Sequence, residues 1–338
     1  AVATIGVFDG VHLGHQALVR RVVERAQRLM ARSVCVTFSP HPDEVLRPQS
    51  EIAHLAPLQD RLELIRSLGV SEVDLLEFTP SLARMSPEQF IDLLLASLRL
   101  EELWVGSDFA LGRGRAGSPE RLAAIGRERG FQVLEFPPVE VGGQVVSSSR
   151  IRRLLAEGRV GDARQLLGRP YRLRGVVVEG DRRGRRLGFP TANLSVGERL
   201  CIPGDGVYAG WCQSGRDAGE VRSRSSGDEV GLASVGETMV GISGAGHGDP
   251  GATDTRRWYP AVANVGVRPT FEGRRRQVEV HLIGFEGDLY RAELAVDFVA
   301  RLRGERRFES AAALAAQIRE DLRVAAAVLA GERWPVEL

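Results

Sequence analysis

Cysteine is scarce in this chain and net charge is almost absent. Cys35, Cys201 and Cys212 are three among 338 residues, odd in number, far apart and without CxxC or zinc-finger spacing. That excludes a disulfide-stapled scaffold and a cysteine-based metal site, and it predicts a reduced, cytoplasmic protein whose thiols pack in the core. Lysine plus arginine number 45 against 44 acidic residues, a formal charge of +1. No global basic field recruits nucleic acid and no basic recognition helix stands out, so the arginines act locally. No apolar run reaches the length of a membrane span, and the first residues read as a strand rather than a signal peptide, so no membrane partner is expected. The chain opens at Ala1, almost directly on that strand and without a methionine, and a short native leading segment is expected to be missing.

What is present is an ordinary globular composition, 43% hydrophobic, in a chain long enough for two domains. Strand-like runs at Val2–Phe8, Ser33–Phe38, Glu72–Phe78, Glu102–Val105 and Gln132–Phe136 alternate with helical patterns, which predicts a parallel sheet covered on both faces. Leu18, Val22, Ala26 and Leu29 make one apolar helix stripe. Ser86-Pro87-Glu88 and Ser118-Pro119-Glu120 each read as a helix start. From Tyr171 the pattern changes to strands separated by turns, at Tyr171–Val178, Val207–Cys212, Pro260–Asn264, Gln277–Ile283 and Glu293–Val299. A compact antiparallel barrel is expected, closed at one end by a helix at Ser310–Ala330 through Leu314, Ile318 and Leu322. The boundary falls at 168/169, giving domains 1–168 and 169–338. The Gly/Ser-rich stretch at about 214–257 lacks periodicity and reads as a disordered insertion.

Two segments carry chemistry. Gly180 to Arg186 is a Gly/Arg-rich loop after a strand, followed by Gly188-Phe189-Pro190-Thr191-Ala192-Asn193. Glycines let backbone N–H groups approach phosphate, arginines add bidentate charge, and Thr191 and Asn193 offer hard oxygens suited to Mg²⁺. A basic surface hairpin explains the arginines but not Phe-Pro-Thr-Ala-Asn. In the first half, Gly6-Val7-Phe8-Asp9-Gly10-Val11-His12-Leu13-Gly14-His15 joins a strand end to a helix start. His12 and His15, three residues apart, can face one anion there, where unpaired N–H groups and the helix dipole favour phosphate. Zinc ligation and plain structural roles remain the alternatives, without a completed ligand set for the first.

The second half resembles the riboflavin kinase family. Pro190-Thr191-Ala192-Asn193 looks like its PTAN motif, Pro203 to Gly210 is similar to its PxxGVYAG strand, Asn264 to Phe271 to its NxGxRPTF, and Val278-Glu279-Val280-His281-Leu282 to its VEvHL strand. The first half resembles the HxGH nucleotidylyltransferases in the FDG form of prokaryotic bifunctional FAD synthetases. Thr37 to Pro42, Val105 to Gly112 and Val146 to Arg152 look like that family's TFxPHP, VGxDFxFG and (I/V)SSTRIR. Ser39, Leu111, Ser149 and Arg291 stand where the family pattern has an acid, an aromatic, a threonine and a glycine.

The resemblance implies an α/β Rossmann-like nucleotidylyltransferase domain followed by a β-barrel riboflavin kinase domain with a C-terminal helix. It implies two ATP-dependent reactions, riboflavin to FMN in the barrel and FMN to FAD, with release of pyrophosphate, in the first domain. Glu279 takes the position of the base that accepts the ribityl hydroxyl proton, and His12, His15 and Arg150 take the positions that stabilise charge in adenylyl transfer. Nucleotide contacts are implied for Gly6, Phe8, Asp9, Gly14, Asp108, Ser147 and Ser148, and in the barrel for Gly180, Arg182, Gly184, Arg185, Thr191 and Asn193. Mg²⁺ falls to Thr191 and Asn193, and the flavin to Val207, Tyr208 and Arg268, with His41 as an accessory near the nucleotide. Substrates are small molecules, and the sequence leaves open whether the chain forms a homo-oligomer. A riboflavin kinase with an inactive first domain and a non-catalytic flavin-binding regulator are the competing readings.

Overall fold

The computed structural model describes residues 1–49, 52–180, 184, 187–197, 199–214, 257–270 and 273–332, with the side chains of 268–270 and 273–275 left out. Arg182, Arg185 and the side chain of Arg268 therefore lie outside the described residues, as does all but the ends of the predicted 214–257 insertion.

The first half forms a five-stranded parallel sheet in the order β3-β2-β1-β4-β5, with β1 Val2–Ile5, β2 Ser33–Ser39, β3 Glu72–Glu77, β4 Glu102–Gly106 and β5 Gln132–Phe136. The chain winds outward from β1 to β3 and then crosses back to β4. This puts a topological switch point between β1 and β4, where a crevice opens beyond the carboxyl ends of the strands. The predicted strands are all present, but β1 stops at Ile5 rather than Phe8 because Phe8 turns to φ 53°. Helix α1 (Leu13–Arg28) buries Leu18, Val19, Val22 and Ala26 against this sheet, while Leu29, placed in the predicted stripe, is the exposed C-cap. Among the other helices, α2 spans Pro42–Leu46, α3 Leu58–Ser67 and α4 Pro80–Ala83. Helix α5 (Pro87–Ser97) begins on a full capping box between Ser86 and Gln89, and α6 (Pro119–Arg129) on a Ser118 cap, as the Ser-Pro-Glu triplets predict. A short hairpin, β6 Glu140–Val141 and β7 Gln144–Val145, precedes α7 (Ser148–Ala156) and α8 (Val160–Leu167).

The second half is a closed antiparallel barrel in the order β10-β11-β12-β9-β8-β13. Its strands are β8 Tyr171–Val178, β9 Ala192–Val196, β10 Gly206–Ser214, β11 Trp258–Thr270, β12 Gly273–Leu282 and β13 Glu293–Arg303. On β8, Tyr171, Leu173, Gly175 and Val177 alternate inward. The barrel core continues into the helices: Ile151, Leu154, Leu155, Leu166 and Leu167 share one buried cluster with Tyr171, Tyr208 and Phe298. The last helix, α9 (Ala311–Ala330), differs from its predicted placement at a barrel end. It packs along the outside of β10, β11 and β13, where Ala325 and Leu329 meet Ala209, Trp211 and Val299. Leu314, Ile318 and Leu322 instead wall a cavity. With α9 outside and the core inside, β10 is buried on both faces.

Candidate active sites

The loop from β1 to α1 is strained. Phe8, Gly10 and Val11 take φ of 53°, 78° and 41°, so a bulky and a β-branched residue both sit in the left-handed region, at a cost of about 1–2 kcal/mol each. Backbone strain of this kind persists only where surrounding bonds over-determine it. Here Val11 N–H closes on Phe8 O at 3.0 Å, and Ser148 Oγ donates to Asp9 O at 2.9 Å. The Asp9 carboxylate, 3% exposed, accepts from Leu55 N–H at 3.0 and 3.2 Å and pairs with Arg152. The Asp9 carboxylate thus ties the loop to Leu55 and to Arg152 of α7.

The loop delivers two imidazoles to the start of α1. The His12 and His15 rings stack with centroids 3.6 Å apart and planes 16° apart. His12 is the N-cap, and its Nδ1 accepts the His15 backbone N–H at 3.3 Å. A ring accepting at Nδ1 is neutral and carries its proton on Nε2. Burial is the main cause that lowers the His12 pKa to about 4; a backbone hydrogen bond works against it, and the charges of Arg169 and Arg152 add to the lowering. Burial, then His12 and then Arg61, hold His15 well below its ordinary value. The pair is therefore neutral at physiological pH, and the buried His15 Nδ1 has no hydrogen-bond partner among the described residues. Two neutral rings able to donate N–H hydrogen bonds, at a helix N-terminus, make a place suited to phosphate oxygens. Phe8 backs it: its ring meets His15 edge-on at 5.2 Å and lies over Gly6, where a β-carbon would come within 3.0 Å of it. Gly14 likewise leaves room for the His12 ring, which a β-carbon would approach to 3.1 Å.

Other residues implied here are placed less directly. Ser147 caps α7 by accepting from Arg150 N–H at 3.3 Å. Arg150 donates to the carbonyls of Gln144 and Val145 at 3.0 and 3.3 Å, so its side chain fastens the β6–β7 hairpin rather than meeting the histidines. Asp108 is exposed in the turn after β4. His41 caps α2, its Nδ1 accepting from Asp43 N–H at 3.1 Å, with its pKa lowered by burial.

On the barrel, strand register lines up one row. Asn193 on β9 faces Glu279 on β12, Glu279 faces Asn264 on β11, and Asn264 faces Val207 on β10. Ala192, Leu194, Val278 and Val280 point inward, so the period-two alternation turns Asn193 and Glu279 outward. A cavity of about 650 Å³ lies over this row, lined by Thr191, Val207, Asn264, Glu279, His281, Phe308 and the α9 residues Leu314, Ile318 and Leu322. A second cavity of about 510 Å³ opens on the barrel mouth, lined by Val177, Pro190, Thr191, Ala192, Val280, Leu282 and the 285–290 loop. Thr191 borders both.

Two glycines are packed against this junction. A β-carbon on Gly180 would collide with the Asn193 amide, and one on Gly184 with the Phe189 carbonyl and, at 3.2 Å, Thr191 Oγ. His281 Nδ1–H donates to Pro190 O at 2.7 Å and so ties β12 to the segment carrying Thr191. Arg303 grips Asp321 of α9 with hydrogen bonds of 2.7 to 3.2 Å, holding the helix to the rim. Tyr208 takes no part: it is fully buried, its ring edge-on to Phe298 and its hydroxyl donating to Gly204 O. Val207 is on the cavity side and Tyr208, one residue on, faces the core. Asn264 and His281 were not singled out from sequence. The signal was there in the first residue of the Asn264-to-Phe271 motif and in the position two beyond Glu279, which shares its face.

Among the described residues no cluster of three or more His, Cys, Asp or Glu residues could hold a metal. Thr191 and Asn193 are oxygen donors of the kind that hold Mg²⁺ together with substrate phosphates.

Comparison with known proteins agrees with this two-part layout. The FAD synthetase family profile matches residues 1–150 and the riboflavin kinase profile residues 167–329. A bifunctional riboflavin kinase/FMN adenylyltransferase of Pseudomonas fluorescens is 38% identical over 331 residues, 97% of this chain and 93% of its own length. The Escherichia coli K12 protein of the same name is 35% identical over 321 residues, 95% of this chain and 90% of its own. Among solved structures, a Streptococcus pneumoniae chain described as a macrolide-efflux protein superposes with a TM-score of 0.78 at 28% identity, covering 96% of this chain and 93% of that one. No described helix here is long and apolar enough to cross a membrane. With both profiles in order and relatives matching over more than nine-tenths of this chain, the chain belongs to the bifunctional riboflavin kinase/FMN adenylyltransferase family.

Proposed function

We propose that this chain phosphorylates riboflavin to FMN at the Glu279 row and adenylylates FMN to FAD at the His12–His15 pair, using ATP in both steps. The observation that carries the first step is Thr191, shared by two cavities. The 650 Å³ cavity has apolar walls from Phe308, Leu314, Ile318 and Leu322 and holds Glu279, which suits a flavin ring with its ribityl tail directed at a carboxylate. The barrel-mouth cavity, with Tyr290 and Phe285 on its loop, is left for the nucleotide. Phosphoryl transfer then takes place beside Thr191. Glu279 accepts the proton of the primary hydroxyl as the new P–O bond forms, and ADP leaves. Thr191 and Asn193 would hold Mg²⁺, which, bound with ATP, supplies charge neutralisation at the phosphoryl oxygens.

At the second site the attacking group is the FMN phosphate, already an anion, so no base is required. The N–H groups of His12 and His15 and the free amides of the α1 N-terminus stabilise charge gathering at the α-phosphate as pyrophosphate departs. We assign this step to residues 1–168 and the kinase step to 169–338, in the cytoplasm and without nucleic-acid or membrane partners. Family membership over more than nine-tenths of this chain supports the pairing of activities. Chromatography of flavins after incubation with riboflavin, ATP and Mg²⁺ tests it. FMN followed by FAD, with ADP and pyrophosphate released, is expected. Absence of FMN would overturn the barrel assignment, and FMN that never becomes FAD would overturn the other.

A further inference from the structure

The strained loop that carries His12 is held from the barrel side of the chain. Arg169 lies between α8 and β8, inside the riboflavin kinase match and beyond the FAD synthetase match. Its Nη2 donates to Gly10 O at 2.8 Å, and its Nη1 donates to Leu167 O at 3.3 Å and Val11 O at 3.5 Å. Gln16 converges on the same acceptors, donating to Val11 O at 2.9 Å and Leu167 O at 2.8 Å. Both carbonyls thus bound in the loop belong to left-handed residues, Gly10 at φ 78° and Val11 at φ 41°.

Neighbouring cations are used differently. Arg172 is neutralised by Asp297 through bonds of 2.6 and 2.7 Å, and Arg174 by Asp60 at 2.8 Å. Arg169, whose pKa burial lowers to about 10, is spent on main-chain carbonyls, and its charge is felt at His12. Arg169 is half-buried, and the cost of drawing its charge partly out of water is offset by hydrogen bonds to the Gly10 and Val11 carbonyls of the turn that aims the imidazole and to Leu167 O.

We propose that Arg169 is a positioning residue for adenylyl transfer: with Gln16 it locks the left-handed Gly10–Val11 turn and thereby fixes the His12 ring, so the kinase half of the chain completes the FAD-forming site. The proposal rests on the assignment of adenylyl transfer to the His12–His15 pair. It is not a role in substrate contact, since the guanidinium reaches carbonyls of the loop.

The test compares Arg169→Met, Arg169→Lys and Gln16→Leu with wild type in the full chain, measuring each half-reaction separately and the amide hydrogen exchange of residues 8–16. A displacement of about 1 Å costs on the order of 10²-fold in rate, so Arg169→Met should lower kcat for FAD formation by about 30-fold while KM for FMN changes less than about threefold. Riboflavin phosphorylation in the same preparation should stay within about twofold, which also certifies the fold. Arg169→Lys, keeping the charge and one donor, should recover much of the rate, Gln16→Leu should show a weaker form of the same loss, and exchange at the turn should quicken about tenfold in Arg169→Met. FAD formation within twofold of wild type, parallel loss of both half-reactions, a lysine variant no better than methionine, or unchanged exchange would each overturn the proposal. In a wild-type protein that makes FMN but no FAD the functional assignment fails, and the exchange comparison alone then decides whether the brace exists.

Discussion

Gly14 and Gly161 make a matched pair. Each is the second residue of its helix, α1 and α8, yet a β-carbon at Gly161 meets nothing within 4 Å, whereas one at Gly14 stands 3.1 Å from Cε1 and 3.2 Å from Nδ1 of His12. Alanine for glycine within a helix gains about 0.5–1 kcal/mol. At Gly161 that gain should appear in full, raising Tm by about 1–3 °C with both half-reactions unchanged. At Gly14 the contact is shorter than the roughly 3.5–4.0 Å optimum, so the imidazole has to yield by a few tenths of an ångström. The His15 ring, 3.6 Å away on centroids, limits where it can go, and the Nδ1 cap worth about 1 kcal/mol is strained in the process. Stability should therefore change by less than about 2 °C in Tm, while the displaced ring lowers kcat for FAD formation by about tenfold and leaves riboflavin phosphorylation intact. Thermal unfolding and the two half-reactions, run on both variants, are the assay. A Gly14→Ala protein that makes FAD at the wild-type rate, or that loses both activities equally, would refute the reasoning.

Four further outcomes follow from particular contacts. His12 is buried neutral with its pKa lowered to about 4, so the unfolded chain binds the extra proton first: stability is full above about pH 6.5 and falls as pH drops toward 4. Between pH 7.5 and 5 this amounts to about 2 kcal/mol, and His12→Gln should remove that share of the acid destabilisation in urea unfolding. Asn193→Ala should raise the Mg²⁺ concentration needed for half-maximal FMN formation at least about tenfold, corresponding to a lost oxygen ligand of about 1.4 kcal/mol, and an unchanged requirement would remove Asn193 from the metal site. Tyr208→Phe should cost about 1–2 kcal/mol through the unsatisfied Gly204 carbonyl yet leave KM for riboflavin unchanged, since the ring faces the core. Arg291 holds φ 65° where the family pattern has glycine, and Arg291→Gly should stabilise the protein by about 0.5–1 kcal/mol in denaturant unfolding.

The sheet of the first half was legible because its strands are apolar runs bounded by capped helices, and Ser86 and Ser118 cap where the triplets place them. Strand β9 was not: Ala192–Val196 is five residues with Asn and Ser at alternate positions, and its sheet character comes from pairing with β8 and β12. The motif residues were legible as a set but not as roles. Asp9 and Arg150 look like ligands in sequence because they sit among glycines, serines and histidines. In three dimensions Leu55 and Arg152 take up the first, and the hairpin carbonyls the second. Val207 and Tyr208 could not be told apart by alternation, because α9 buries the outer face of β10 as thoroughly as the core buries the inner one. Arg169 and Gln16 carry no motif signal, since what they recognise is three backbone carbonyls, of Gly10, Val11 and Leu167, brought near by the fold.

The central claim is that one chain holds two separate sites, one built on Glu279 and one on the His12–His15 pair. Flavin chromatography of Glu279→Gln and His15→Ala proteins, each given riboflavin and, separately, FMN with ATP and Mg²⁺, tests it most directly. The account predicts that the glutamate variant makes no FMN but still converts supplied FMN to FAD, and that the histidine variant accumulates FMN and stops there. Loss of both conversions in either folded variant, or FAD formation that survives His15→Ala, would contradict it.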